Sequence, residues 1–338
     1  MVNGAWARRP YVPRLRAYEA LAALQVVGVW LLVRWVALID LPRGKTLADE
    51  FPFALLVVGL TAGGFLLRTL LVAWRNGRTR AGLLLRAGVR PTALLDVVRF
   101  VLVVVLAAYG YTWLKVFVPL LNPALFDAEL ARLDAAVHAG LNVNRFAIEL
   151  LPFPAFHRAL DSYYALFHAT VLAGLGWFAS ALSLRERARF AAGFTLLWLA
   201  GSWLYLAVPS LGPCYAFPAD TESIQGSLPL QTATQELLIR QYRTVRGLRS
   251  GGAEGMALNP ILGVAAMPSL HVAAQAFFAL FARKRSRPVF IFFAAATLLT
   301  FYGSLVTGWH YAVDGYAGLL LGWLCVRLAD RGAAGRAV

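Results

Sequence analysis

The sequence predicts an all-α, polytopic membrane protein. Apolar residues make up 59% of its 338 residues and charged residues only 14%, against about a quarter charged in an ordinary soluble domain. The apolar residues stand in long continuous runs, not in the alternation of an outer-membrane barrel. The basic residues fall in short clusters between those runs, which is where cytoplasmic loops keep them. The net charge of +15 therefore points to membrane topology and not to nucleic acid. Two cysteines, Cys214 and Cys325, are too few for a disulfide scaffold.

A spanning helix needs about 20 mostly apolar residues, and eight runs meet this. The first, 18–40, follows a basic segment, Met1 to Arg16, but outruns a secretory signal and has no small-residue cleavage site. The second is 51–74. Pro91 and Pro119 bound the third, 93–119; Pro154 and Arg185 bound the fourth, 160–183. The fifth is 189–209. The last three, 266–282, 288–306 and 309–328, are joined by Arg283-Lys284-Arg285-Ser286-Arg287-Pro288 and by Thr307-Gly308. Joints that short make them antiparallel neighbours.

Arg8, Arg9, Arg14 and Arg16 precede the first span. Arg75, Arg78, Arg80, Arg86 and Arg90 follow the second, and Arg185, Arg187 and Arg189 follow the fourth. The 283–287 cluster follows the sixth; Arg327, Arg331 and Arg336 close the chain. Every second loop is basic, so eight spans with both termini in the cytoplasm satisfy the positive-inside rule. Two outer loops are long. Residues 120–159 hold a helix-like stretch from Phe126 to Leu141, suited to the membrane interface. Residues 210–265 hold another, Leu228 to Leu248, with Arg240, Arg243, Arg246 and Arg249 at three-residue spacing. Those arginines read either as a headgroup-facing face or as an anion-binding strip. No internal repeat is visible.

Polar side chains inside membrane helices are expensive and mark function. The last span opens with His310-Tyr311-Ala312-Val313-Asp314. His310 and Asp314, four apart, share a helix face, and the carboxylate would fix the tautomer of the imidazole. The sixth span opens with Pro268-Ser269-Leu270-His271, with Pro suited to a first helical turn. Both spans start at the outer face, so their N-termini present free N–H groups and positive dipole ends together, an anion site. Two imidazoles, one carboxylate and an anion site fit phosphoryl transfer, one imidazole attacking phosphorus and the other moving the proton. Two histidines and a carboxylate also make the facial triad of non-haem iron, and the residues alone leave that open. On the fourth span, Asp161, Tyr164 and His168 share a face, suited to a polyol headgroup or an acceptor hydroxyl, or to interhelical hydrogen bonds. Tyr215 is placed to line the cavity. His138 and His157 fall in an outer loop, where solvation is expected.

Pro268-Ser269-Leu270-His271 resembles the PSGH motif, and His310-Tyr311-Ala312-Val313-Asp314 the HxxxD motif, of the type 2 phosphatidic acid phosphatase superfamily. The wording is most similar to the branch with inositol phosphorylceramide synthases. Val208-Pro209-Ser210-Leu211-Gly212-Pro213-Cys214-Tyr215 resembles that branch's P-x-x-G-P-x-Y segment, and Asp161-Ser162-Tyr163-Tyr164 its D-x-x-Y stretch. The resemblance implies a six-helix catalytic core over 93–330, with residues 1–92 as a two-helix addition. It implies His310 as a nucleophile forming phospho-histidine, Asp314 as its orienting group and His271 as acid then base, with no metal or cofactor. Two departures stand out. Ser304 replaces the phosphatase pattern's Arg six residues before the nucleophilic His, and no K-x6-R-P element is recognised on the outer side, Lys284 and Arg287-Pro288 being at the cytoplasmic joint. Phosphate-clamping cations are therefore expected from Arg240, Arg243, Arg246 and Arg249, with Ser269, Asp161, Tyr164 and Tyr215 on the substrate.

The expectation is an inner-membrane bacterial lipid phosphotransferase, its site open to the non-cytoplasmic side. It moves a phosphorylated headgroup, such as phosphoinositol, from a phospholipid donor to a lipid hydroxyl acceptor, such as ceramide. Hydrolysis of a lipid phosphate or polyprenyl diphosphate by the same triad is the alternative. A transporter or scramblase lacks the support of an inverted repeat.

Overall fold

The computed structural model describes residues 15–36, 43–180, 184–248, 258–259 and 261–334. Arg8, Arg9, Arg14, Arg249 and Arg336 lie outside the described residues. The described chain is all helical, with α1 (Ala17–Val36), α2 (Arg43–Asn76), α3 (Arg78–Gly88), α4 (Pro91–Leu121), α5 (Asp127–Val137), α6 (Val143–Leu150) and α7 (Pro154–Ala165) in the first half. The second half contributes α8 (Phe167–Ala179), α9 (Leu184–Ala207), α10 (Pro213–Ala216), α11 (Pro229–Gly247), α12 (Leu270–Ala282), α13 (Arg287–Val306) and α14 (Ala312–Ala334).

Among the described residues, six helices are long and apolar enough to cross a membrane: α1, α2, α4, α9, α13 and α14. The expected fourth and sixth spans differ. The fourth breaks at Leu166 into α7 and α8, and the sixth starts only at Leu270. Each leaves an apolar helix of 13 residues, Phe167–Ala179 and Leu270–Ala282, short of the ~20 residues a bilayer asks for. The late start of α12 has a local cause. The backbone N–H of Ala266 bonds the Ser210 carbonyl at 2.9 Å, and that of Met267 bonds Ser210 Oγ at 3.0 Å. This holds the segment as extended loop until Ser269 caps the helix, its hydroxyl accepting from the Val272 N–H. Pro268 thus precedes the cap and is not in the first turn.

The membrane helices pack around α4, α9, α12 and α14. Their core is largely phenylalanine: Phe190 stacks on Phe178 at 4.8 Å between ring centroids and sits 5.5 Å from Phe277. Close approach of α12 and α14 rests on Gly318 and Gly322, one turn apart. A Cβ at Gly318 would stand 2.4 Å from the Ser269 carbonyl oxygen, and one at Gly322 2.8 Å from that of Ala273. Small residues at this spacing let helix backbones approach where both faces are apolar. The helices α1 and α2 pack on α4, α8 and α9, and Gln25 donates to Ser202 Oγ at 2.9 Å from inside α1. The helix-like stretches expected in the two long loops are α5 and α11, and the first loop also forms α6, which was not expected.

Candidate active site

The first turns of α12 and α14 meet, as the Ser269 N–H bonds the Asp314 carbonyl at 2.9 Å. That contact brings the two histidines together: His271 Nδ1 lies 3.3 Å from His310 Nε2. His310 Nδ1 in turn lies 3.5 Å from Asp314 Oδ2, an ion-pair distance. His310 and Asp314 are buried, and His271 stands at the accessible edge. The pairing does not arise on one helix face as the spacing predicted, because α14 begins at Ala312 and His310 precedes it. Asp314 Oδ2 instead accepts the Tyr311 N–H at 3.0 Å. This is the reach-back arm of a capping box, so one carboxylate both starts the helix and faces the imidazole.

The segment that carries His310 is fixed from several sides. Gly308 turns the chain at φ 71°, a left-handed conformation that favours glycine. The Cys214 N–H bonds the Gly308 carbonyl at 2.8 Å, and Gln235 Nε2 the Thr307 carbonyl at 2.8 Å. Buried Asn144 donates to the carbonyls of Leu305 at 2.9 Å and His310 at 3.1 Å. Trp309 Nε1 donates to Gln231 at 2.8 Å.

Two buried carboxylates of α5, seven residues apart, hold what surrounds this segment. Asp127 accepts the Leu211 and Gly212 N–H groups and the Tyr311 hydroxyl, at 3.1, 2.9 and 3.1 Å to Oδ1. Asp134 accepts the Val313 N–H at 2.9 Å. Burial raises the Asp134 carboxyl above its ordinary range and, with Asp127 beside it, raises the Tyr311 phenol, which stays a hydrogen-bond donor.

The other expected site residues divide. Tyr164 lies beside His271 at 5.3 Å between ring centroids, with Phe167 at 4.4 Å, and its buried hydroxyl has no partner in the described structure. Tyr215 packs edge-on to Trp309 at 6.0 Å and gives its hydroxyl hydrogen to the Gln235 carbonyl. Burial raises the Tyr215 phenol. The Ser269 hydroxyl is engaged as the cap of α12. Asp161 does not turn toward the histidines. Its oxygens accept the Leu230 and Gln231 N–H groups at 3.0 and 2.9 Å, so it caps α11 with the charge a helix N-terminus favours. Arg240, Arg243 and Arg246 are exposed, while Leu238, Tyr242 and Val245 form the buried side of α11. Arg240 pairs with Glu236 at 3.8 Å.

The expected solvation of His157 is corrected, while His138 is half-buried. His157 is buried, and burial lowers its pKa. His138 Nε2 meets the Tyr316 hydroxyl at 2.9 Å. His168 falls beyond the break at Leu166 and is exposed.

One cation escaped the sequence analysis. Lys115 of α4 stands 5.6 Å from the Tyr205 ring and 5.9 Å from that of Tyr111. Its signal was spacing: Lys115, six residues, then Asn122-Pro123. This is the K-x6-R-P element with Asn in place of Arg, on the histidines' side of the bundle. Asn122 donates to the Leu206 carbonyl at 2.9 Å, tying α4 to α9. Both clamp arginines of the phosphatase pattern are therefore neutral here, Asn122 and Ser304.

Among the described residues no three His, Cys, Asp or Glu side chains are grouped as metal ligands. The arrangement suits an imidazole nucleophile flanked by a carboxylate and a second imidazole. No curated protein and no solved structure matches the chain. The profile of the PAP2 superfamily matches residues 128–328, more than half of the chain and all of the histidine constellation, and the protein belongs to that superfamily of enzymes acting on phosphorylated lipids.

Proposed function

We propose that the protein transfers a phosphorylated headgroup from a phospholipid to a lipid hydroxyl through a phospho-histidine at His310. The observation that carries this is the row Asp314, His310, His271, with His310 Nδ1 3.5 Å from the carboxylate and Nε2 3.3 Å from His271 Nδ1. A carboxylate at Nδ1 holds the proton there and leaves the Nε2 lone pair for phosphorus. In the first step His310 Nε2 forms a bond to phosphorus and the phosphorus–oxygen bond to diacylglycerol breaks. The proton on His271 passes to the leaving oxygen. In the second step the acceptor hydroxyl attacks phosphorus, its proton returns to His271 and the phosphorus–nitrogen bond breaks. Atoms and charge balance, and the enzyme is restored.

Charge supports a diester donor over a monoester. A phosphate monoester is nearly a dianion at neutral pH, and fixed cations would have to match it. Here the lysine of the phosphatase pattern is present as Lys115, while Asn122 and Ser304 are neutral. A phosphodiester carries one negative charge, which one ammonium can balance. Phosphoinositol as headgroup and ceramide as acceptor follow from the resemblance to inositol phosphorylceramide synthases. The alternation of basic loops supports an inner-membrane orientation with both termini cytoplasmic and the histidines facing the other side.

Purified protein with headgroup-labelled phosphatidylinositol, with and without ceramide, tests the proposal. Label should move to the added lipid alcohol, and His310→Ala should lower kcat by at least ~10³-fold. Label that moves only to water would overturn the transferase reading in favour of the phosphatase. Full activity in His310→Ala would remove the nucleophile.

A further inference from the structure

A second cluster of cations lies at the other end of the bundle from the histidines. Here the ends of α8 and α12, the start of α9 and the last third of α2 line an open pocket of about 390 Å³, within the range of small-molecule sites. Arg68, Trp177, Glu186, Phe281, Lys284 and Arg285 line it. It lies about 16 Å from the active site, since α12 starts beside His271 and reaches the cavity eleven residues later.

Arg68 is an arginine within the apolar span Pro52–Asn76, a position where a charge is costly and marks function. It is built in. Its guanidinium lies 4.3 Å over the Trp177 ring, and its Nε and Nη2 donate to Ser180 Oγ at 2.7 Å and the Trp177 carbonyl at 2.8 Å. Arg285 is held in the same way, 3.9 Å over Phe281 and 3.1 Å from Glu186. Lys284 is exposed at the rim. Three cations thus face one carboxylate around a cavity with aromatic walls, at the depth where a membrane helix ends. Stacking fixes both guanidinium planes before any ligand arrives, which lowers the ordering cost of binding.

We infer that this cavity binds a phosphate-bearing anion, and its depth points to the headgroup of an anionic phospholipid from the leaflet opposite the active site. Aromatic rings and basic side chains at this level suit a headgroup with acyl chains alongside. The site joins α2 of the N-terminal pair to α8, α9 and α12 of the catalytic core, so an occupant would bridge the two.

Native mass spectrometry of the full-length protein in neutral detergent tests this, titrating dioleoylphosphatidylglycerol against dioleoylphosphatidylcholine. Lys284→Gln and Arg68→Gln should each weaken phosphatidylglycerol binding at least about tenfold and leave phosphatidylcholine unchanged. Arg80→Gln, exposed on α3 and outside the cavity, should bind as wild type does. Lys284 lies at the rim, so its variant reports on the site even if Arg68→Gln unfolds. Wild-type phosphatidylglycerol affinity in Lys284→Gln and in folded Arg68→Gln overturns the inference, as does equal weakening by Arg80→Gln, which would mean a diffuse basic face. Competition by inorganic phosphate at millimolar concentration supports the anion site and assigns it to soluble phosphate; absence of competition assigns it to the lipid.

Discussion

Asp127 shows how much of this site rests on a residue that touches no reacting atom. Its carboxylate gathers the Leu211 and Gly212 N–H groups and the Tyr311 hydroxyl, and Tyr311 follows His310 directly. Asp127→Asn keeps the shape, loses the charge and sets an amide NH2 where N–H groups now donate. Hydrogen bonds to a charged acceptor contribute about 1.5–3 kcal/mol, and an ångström of misplacement is enough to lower a rate about 10²-fold. Asp127→Asn should therefore lower kcat by about that factor with KM within about twofold, and Asp127→Glu should restore part of it. Steady-state kinetics decide: a change confined to KM would make Asp127 part of substrate binding. The three residues at the centre of the site were legible in the sequence because titratable side chains in apolar runs have few other reasons to be there. Asn144 was not, since an amide in a polar loop carries no such signal until the fold sets it on the His310 carbonyl. Asp161 drew notice for the right reason, a buried carboxylate in an apolar stretch. Its partners were invisible because they are backbone N–H groups of α11, seventy residues away.

At the scale of elements, the crossing of α12 and α14 decides whether the imidazoles meet. The contact is backbone to backbone, with Gly318 against the Ser269 carbonyl and Gly322 against that of Ala273. Gly318→Val would drive the helices apart at the level of the Ser269–Asp314 bond. Overpacking costs about 1–3 kcal/mol, and the move would open the 3.3 Å approach of His271 and His310. Gly318→Val should lower both the thermal midpoint in detergent and kcat, whereas Gly226→Ala, where a Cβ meets open space, should change neither. An unchanged midpoint and kcat in Gly318→Val would mean that the two helices are free to separate without loss. Hydropathy located every long apolar helix among the described residues, because length and composition alone make that signal. It placed the helix starts too early at 266 and 309, because apolar loop reads like apolar helix. What stops these helices is the hydroxyl of Ser210, the Ser269 cap and the Asp314 reach-back, none of which has a hydropathy signature.

The whole molecule is braced at the end away from the histidines by buried charge. Asp96 of α4 is buried between Arg187 of α9 at 2.8 Å and Arg16, just before α1, at 2.9 Å. Glu19 of α1 pairs with Arg99 at 2.6 Å. Removing one member of a buried ionic group leaves the rest uncompensated and costs about 3–5 kcal/mol. Asp96→Ala should destabilise the protein by that amount in denaturant titration, and a loss under about 0.5 kcal/mol would show that these arginines find water instead. This end also carries the clusters on which the proposed orientation rests, so orientation is testable apart from chemistry. With Cys214 and Cys325 replaced by alanine, single cysteines at the exposed positions Arg80, Lys284 and Arg243 sample both ends of the bundle. Arg243 lies on α11, the helix that Asp161 caps beside the site, and the other two lie near the brace. If basic loops stay in the cytoplasm, a membrane-impermeant maleimide added to spheroplasts should label 243 and spare 80 and 284 until the membrane is broken. The reverse pattern would set the histidines on the cytoplasmic side, where the donor and acceptor would have to come from the inner leaflet. It would also move the basic cavity to the outer one.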